Sequence, residues 1–91
     1  MAEKRIHAIV TGRVQGVGFR FFTQRAAAKS GVKGWVRNRG DGSVEIEAQA
    51  GETVLERFLS DIHAGPPLAR VHDMRTTPQS LRSDDSFNIT G

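Results

Sequence analysis

Between Ser43 and Ala50 the side chains change character at every step. Val44, Ile46, Ala48 and Ala50 are apolar, while Ser43, Glu45, Glu47 and Gln49 are polar. A period of two is the period of an extended strand, whose successive side chains point to opposite faces. A strand with one apolar and one polar face belongs in a sheet covered on one side and wet on the other. This segment therefore asks for a sheet with helices stacked on a single face, and the rest of the chain has to supply them.

The neighbouring segments do so in a definite order. Residues 6–14 alternate as a strand, with Ile6, Ala8 and Val10 on one side and His7, Ile9 and Thr11 on the other. Gly12, Gly16 and Gly18 then interrupt regular structure. A helix is predicted from about Phe21, carried by Phe22, Ala26 and the high helix propensity of Ala26-Ala27-Ala28. Gly31 stops it, with Val32 folding back on the last turn. Residues 33–38 form a second strand, and Arg39-Gly40-Asp41-Gly42 is a tight turn into the 43–50 strand. A second helix spans 52–63 with Val54, Leu55, Phe58, Leu59 and Ile62 as its apolar stripe. Glu52 near its start suits the helix dipole, and Gly65-Pro66-Pro67 ends it. Residues 69–77 form a fourth strand, 79–86 a polar loop, and Phe87-Asn88-Ile89 a short last strand.

The order β-α-β-β-α-β, with the right-handed crossover rule, predicts an α+β ferredoxin-like βαββαβ sandwich. Two helices pack on one face of a mainly antiparallel sheet, with a short extra C-terminal strand. At 91 residues the chain is read as a single domain, 1–91. It contains no cysteine, which excludes thiol nucleophiles, thiolate metal sites and disulfides, and fits a reducing cytoplasm. The polar start of the chain carries no secretory h-region, and no apolar run is long enough for a membrane span. The net charge of +3 favours anionic partners only weakly.

Two segments carry candidate chemistry. Gly12-Arg13-Val14-Gln15-Gly16-Val17-Gly18-Phe19-Arg20 joins a strand to a helix. Glycines let the backbone turn tightly, and successive N–H groups in such a turn form an anion-sized concavity next to the positive end of a helix. Arg20 follows, with a planar fork able to grip a phosphate through two hydrogen bonds. The loop is not a Walker A loop, which would end in Gly-Lys-Ser/Thr, nor a dinucleotide fingerprint, since position 21 is Phe. By itself it is equally a tight turn with a surface arginine. The second segment is Gly34-Trp35-Val36-Arg37-Asn38, followed by Gly42-Ser43-Val44. Asn38 ends a strand before a turn, where Asn is common for turn reasons alone; its amide is also suited to hold a water.

Taken together, Val14-Gln15-Gly16-Val17-Gly18-Phe19-Arg20 and Gly34-Trp35-Val36-Arg37-Asn38 resemble the two signature stretches of the acylphosphatases, and the resemblance covers most of the chain. It implies hydrolysis of the carboxyl–phosphate anhydride of acyl phosphates to carboxylate and inorganic phosphate. The family's catalytic arginine falls on Arg20 and its catalytic asparagine on Asn38. Its phosphate-binding loop falls on Gln15, Gly16, Val17, Gly18 and Phe19, completed by Arg20. No metal and no cofactor are implied. One position departs from the family pattern: Ala50 stands where a glycine is usual, with Gly51 next, and a shifted turn is expected there.

The rest of the expectation follows from this chemistry. A mixed anhydride is already activated, so positioning and charge stabilisation suffice. His7, His63 and His72 fall in unrelated places and form no metal-ligand spacing. Arg13, Arg25, Arg37 and Arg39 are candidates for a steering field. The acyl group would meet few residues, so acyl selectivity should be low. The partners are small acyl phosphates and inorganic phosphate, with no nucleic acid and no membrane, for a monomer in the cytoplasm. An RNA-recognition domain shares the element order, but the strand that would carry its stacking aromatics continues here as Asn38-Arg39-Gly40. The acylphosphatase-like domain of hydrogenase-maturation carbamoyltransferases usually has proline after the arginine, where this chain has Phe21. A phosphate-binding module without turnover is the remaining alternative.

Overall fold

A computed structural model describes residues 2–91 of the chain. The elements follow in the expected order: β1 (Glu3–Arg13), α1 (Phe19–Ser30), β2 (Lys33–Asn38), β3 (Val44–Gly51), α2 (Glu52–Ala64), β4 (Arg70–Gln79) and β5 (Phe87–Ile89). The five strands lie in the order β4-β1-β3-β2-β5. All neighbours are antiparallel except β2 and β5, which are parallel. This is the split βαβ arrangement: β3 sits between β1 and β2, and the two helices pack on one face of the mixed sheet.

The apolar face of β3 forms the middle of the core, with Val44, Ile46 and Ala48 fully buried. Above it α1 places Phe19, Thr23 and Ala27, and α2 places Leu55, Phe58 and Ile62, residues three or four apart on one helix face. Val54, expected in the α2 stripe, is instead 37% exposed, because the contact is narrower than the run of apolar residues. Phe87 of β5 is buried and meets Phe58 edge-on at 5.9 Å between ring centres, which anchors a strand too short to hold itself. Gly31 ends α1 in the left-handed region, and Val32 donates its N–H back to the Ala27 carbonyl at 2.9 Å, as its position predicts.

Two boundaries differ from the sequence reading in ways that matter. Helix α1 begins at Phe19, two residues before the expected Phe21, so Phe19 is the first helical residue and lies in the core. The expectation followed the alanine run, while burial of Phe19 against the sheet starts the helix sooner. Ala50 is inside β3 and buried, and Gly51 both ends the strand and caps α2, so the turn falls one residue past the usual glycine site.

The polar face of β3 is not wet. Gln49 is buried, and the side chains of Glu45 and Glu47 are only 14% and 15% exposed. The cover comes from Arg5, whose side chain is wholly buried in this face. Its Nε donates to Glu47 at 2.7 Å, and its Nη1 donates to Asp84 at 2.8 Å and Gln49 at 3.2 Å. Gln49 in turn accepts from the Arg82 N–H and donates to the Arg82 carbonyl, both at 2.9 Å. The polar segment between β4 and β5 is thereby strapped across the sheet. Alternation reports polarity correctly, but a buried arginine can take the place of water.

Close backbone approach explains Gly34. Its φ is +141°, and a Cβ there would lie 1.9 Å from the Glu47 carbonyl oxygen across the β2–β3 ladder, so no other residue fits.

Removing Asp84 (Asp84→Ala) deletes a charge-assisted hydrogen bond and should cost about 1–3 kcal/mol of stability. Arg5→Ala leaves two carboxylates unpaired and should cost more, about 3–5 kcal/mol. Urea unfolding of both variants checks this order; an Asp84 loss as large as the Arg5 loss would place the centre of the network elsewhere. Glu45 provides a second test. Burial pulls its carboxyl upward, but hydrogen bonds from His7 and Arg37, each at 2.6 Å, outweigh that and hold it below its ordinary value of 4.5. A depressed carboxyl stabilises the fold in full above the unfolded value, and this stability is lost as pH falls through the folded value. Stability of Glu45→Gln measured from about pH 6 down to about pH 3 should therefore fall less steeply than wild type.

Candidate active site

The segment between β1 and α1 is short and built on glycine. Gly16 and Gly18 both adopt left-handed conformations, with φ of +73° and +79°. A Cβ on either would meet nothing, so it is the backbone angle and not space that demands glycine. Gly18 is also the N-cap of α1, and it offers no side-chain cap. The first N–H groups of a helix have no intrahelical partner. Here no Ser, Thr or Asp satisfies them, and the first turn holds no acidic residue. The helix start is thus left open as a concave set of donors at the positive end of the dipole.

Gln15 sets where this loop lies. Its Nε2 donates to the carbonyl of Arg39 at 2.8 Å and to that of Ser43 at 2.9 Å, the two ends of the β2–β3 turn. The turn is itself tied by Arg39 N–H to the Ser43 carbonyl at 2.9 Å and by Ser43 N–H to Asp41 Oδ1 at 3.0 Å. The Ser43 hydroxyl also donates to Asp41, and these bonds hold the Asp41 carboxyl below its ordinary value.

The outcome is an open pocket of about 300 Å³ lined by Val14, Gly16, Gly18, Phe19, Arg20, Phe21, Asn38 and Ile89. Arg20, in the first turn of α1, and Asn38, the last residue of β2, share it although they stand on different elements. Both are half-buried, and among the described residues neither side chain is engaged in a hydrogen bond or ion pair. The pocket therefore presents a guanidinium, a free side-chain amide and uncapped helix N–H groups to one small volume. That is a donor set without a carboxylate, suited to an anion with several oxygens.

Of the residues expected at the loop, Gly16, Gly18, Phe19 and Arg20 line the pocket, while Gln15 and Val17 do not. The Gln15 amide is engaged in positioning, and Phe19 contributes as a buried wall. None of the three histidines lines the pocket; His7 is bonded to Glu45 on the far face of the sheet. Arg37 is held by Glu45 and stacked over Trp35 at 5.7 Å, and Arg39 pairs with Asp41, so Arg13 and Arg25 are the members of the expected steering set without a partner among the described residues. No group of three or more His, Cys, Asp or Glu among the described residues is arranged to hold a metal ion. Sequence reasoning missed Val14, Phe21 and Ile89 as pocket residues. Nothing local marks Ile89: it arrives because β5 pairs in parallel with β2, Val36 opposite Ile89.

Gln15→Ala should free the loop from the turn without touching the pocket. We expect stability to drop by about 1–2 kcal/mol, from two lost hydrogen bonds to carbonyls that keep their backbone partners, and inorganic phosphate to bind more weakly. Titration calorimetry with phosphate, alongside thermal unfolding, checks both; unchanged phosphate affinity would show that the loop holds its shape unaided.

Known proteins share this sequence and fold. The acylphosphatase family model matches residues 6–89. An acylphosphatase of Geobacillus kaustophilus is 51% identical over 82 residues, covering 90% of this chain and 87% of that protein. The crystal structure of acylphosphatase from Bacillus subtilis superposes with a TM-score of 0.94 at 43% identity, covering 97% of this chain and 99% of that one. T. kodakarensis HypF also contains the fold, at 34% identity and a TM-score of 0.86, but the 97% of this chain that aligns spans only 12% of it. With the motif loop, the fold and near-half identity along nearly its whole length, the chain belongs to the acylphosphatase family, hydrolases acting on acyl phosphates.

Proposed function

We propose that this enzyme hydrolyses acyl phosphates with Arg20 and the loop N–H groups holding the phosphoryl group and Asn38 placing the attacking water. The observation that carries the reading is the meeting of Arg20 and Asn38, both without a side-chain partner among the described residues, in one pocket beside Gly16 and Gly18. The backbone of Gln15, Gly16, Val17, Gly18 and Phe19, with Arg20, would surround the three phosphoryl oxygens. Their negative charge grows more exposed as the bond to the acyl oxygen stretches, and fixed donors stabilise it without reorganising.

The water on Asn38 attacks phosphorus, forming one P–O bond as the P–O bond to the acyl group breaks. The electron pair of that bond leaves on a carboxylate, a stable anion that needs no acid to protonate it. The water proton passes to a phosphate oxygen, giving dihydrogen phosphate. No protein base is required, in keeping with a pocket free of histidine and carboxylate, and the reading uses neither metal nor cofactor.

We take the whole chain, 1–91, as one domain working as a monomer in the cytoplasm on small anionic substrates. Nucleic acid is left out for a physical reason. The outer face of the sheet, where an RNA-recognition domain stacks bases on aromatics, is occupied here by the Arg5–Glu47–Asp84 ion pairs. As for membranes, no helix is long and apolar enough to cross one.

Hydrolysis of benzoyl phosphate in EDTA tests the roles. Wild type should turn over undiminished by the chelator. Arg20→Ala should lose about 10²–10³ or more in rate, and Arg20→Lys should recover little, because an ammonium lacks the planar fork. Asn38→Ala should lower kcat with KM nearly unchanged; a raised KM at constant kcat would refute the water-placing role.

A further inference from the structure

Beside the pocket lies a second, larger depression. A groove of about 840 Å³ runs between α1 and α2, walled by Phe21, Phe22, Arg25 and Ala26 on one side and by Asp61 and Ala64 on the other. The two spaces have just two residues in common, Gly18 and Phe21. Phe21 is 65% exposed, directly after Arg20. A lone exposed phenyl group is ordinary on a protein surface; its position is what sets this one apart.

In-line displacement places the leaving acyl oxygen on the side of phosphorus opposite the water. Asn38 lines the pocket but not the groove. With the water at Asn38, the acyl group is directed away from β2, and the way out of the pocket toward α1 passes Gly18 and Phe21. Gly18 has no side chain to obstruct it, and Phe21 offers an apolar face. Beyond Phe21 the wall continues as Phe22 and Ala26, one helical turn along, with the methylene stem of Arg25 beside them.

We infer that the groove entrance at Phe21 is an acyl-binding subsite, which selects flat apolar acyl groups, aromatic ones first, by stacking on the phenyl ring. The inference rests on the placement of the phosphoryl group at Arg20. It also revises the expectation of low acyl selectivity, which considered the phosphate end alone. An aromatic acyl group gains ring contact and buried area that an acetyl group lacks, and the gain should be about tenfold in kcat/KM. Because the contact exists before the P–O bond breaks, most of it should be expressed in KM.

The test is the ratio of kcat/KM for benzoyl phosphate to that for acetyl phosphate, in wild type, Phe21→Ala and Phe21→Trp, with Arg20→Ala measured beside them. The proposal expects the ratio to fall by about five- to twentyfold in Phe21→Ala, through KM for benzoyl phosphate, and to be held in Phe21→Trp. A general loosening of α1 would depress both substrates together and leave the ratio alone, which would overturn the subsite. If Arg20→Ala is inactive and the ratio is still unmoved by Phe21→Ala, the subsite falls and the phosphoryl placement stands. If Arg20→Ala remains fully active, the phosphoryl group is held elsewhere and both fall together.

Discussion

The pairing of β3 with both β1 and β2 is the constraint on which the rest of the molecule depends. Val44 lies opposite Val10 on one side and opposite Asn38 on the other. Neighbouring strands stand about 4.8 Å apart, so this one register brings the end of β1 to within two strand spacings of the end of β2. The loop leaving β1 and the turn leaving β2 then emerge on the same edge of the sheet. Gln15 needs to reach only across that gap to bind the Arg39 and Ser43 carbonyls. A slip of one residue in β3 would turn Val44, Ile46 and Ala48 outward, and a slip in β2 would carry Asn38 to the opposite face. Core and site are therefore held by the same ladder.

A second consequence of that ladder is the buried ion-pair face. In a small domain one helix-covered side supplies a limited apolar core. The opposite side here is closed by Arg5, Glu47, Gln49 and Asp84, with the segment before β5 drawn over them. Such networks demand that each member be satisfied, since a buried charge that loses its partner is costly. Arg5 Nη2 is the one buried side-chain nitrogen without a partner among the described residues. The strap also shapes the site at a distance, because the chain it fixes goes on to Phe87 and then Ile89 at the pocket wall.

Local pattern made much of the fold legible. Strict alternation at 43–50 marked β3, Gly31 marked the end of α1, and the spacing of Leu55, Phe58 and Ile62 marked α2. What alternation could not say was what would cover the polar face, because Glu47 and Gln49 look alike whether they meet water or a buried arginine forty residues away. The start of α1 was misplaced by two residues for a related reason: helix propensity favours the alanines, but tertiary burial of Phe19 decides where the helix begins. In the site, Arg20 and Asn38 were legible because each sits in a distinctive motif. The Gln15 side chain ties the loop to the turn, a role visible only once the two segments lie side by side.

The sequence by itself determined the element order, the family and the two residues around which the chemistry is proposed, since these depend on periodicity and on motifs a few residues long. The tertiary structure alone decided that Arg20, Asn38 and Ile89 line one volume and that Phe21 lines both it and a groove. Those facts depend on register and on crossovers between segments far apart in the chain, and no short-range pattern encodes the distance between two such segments.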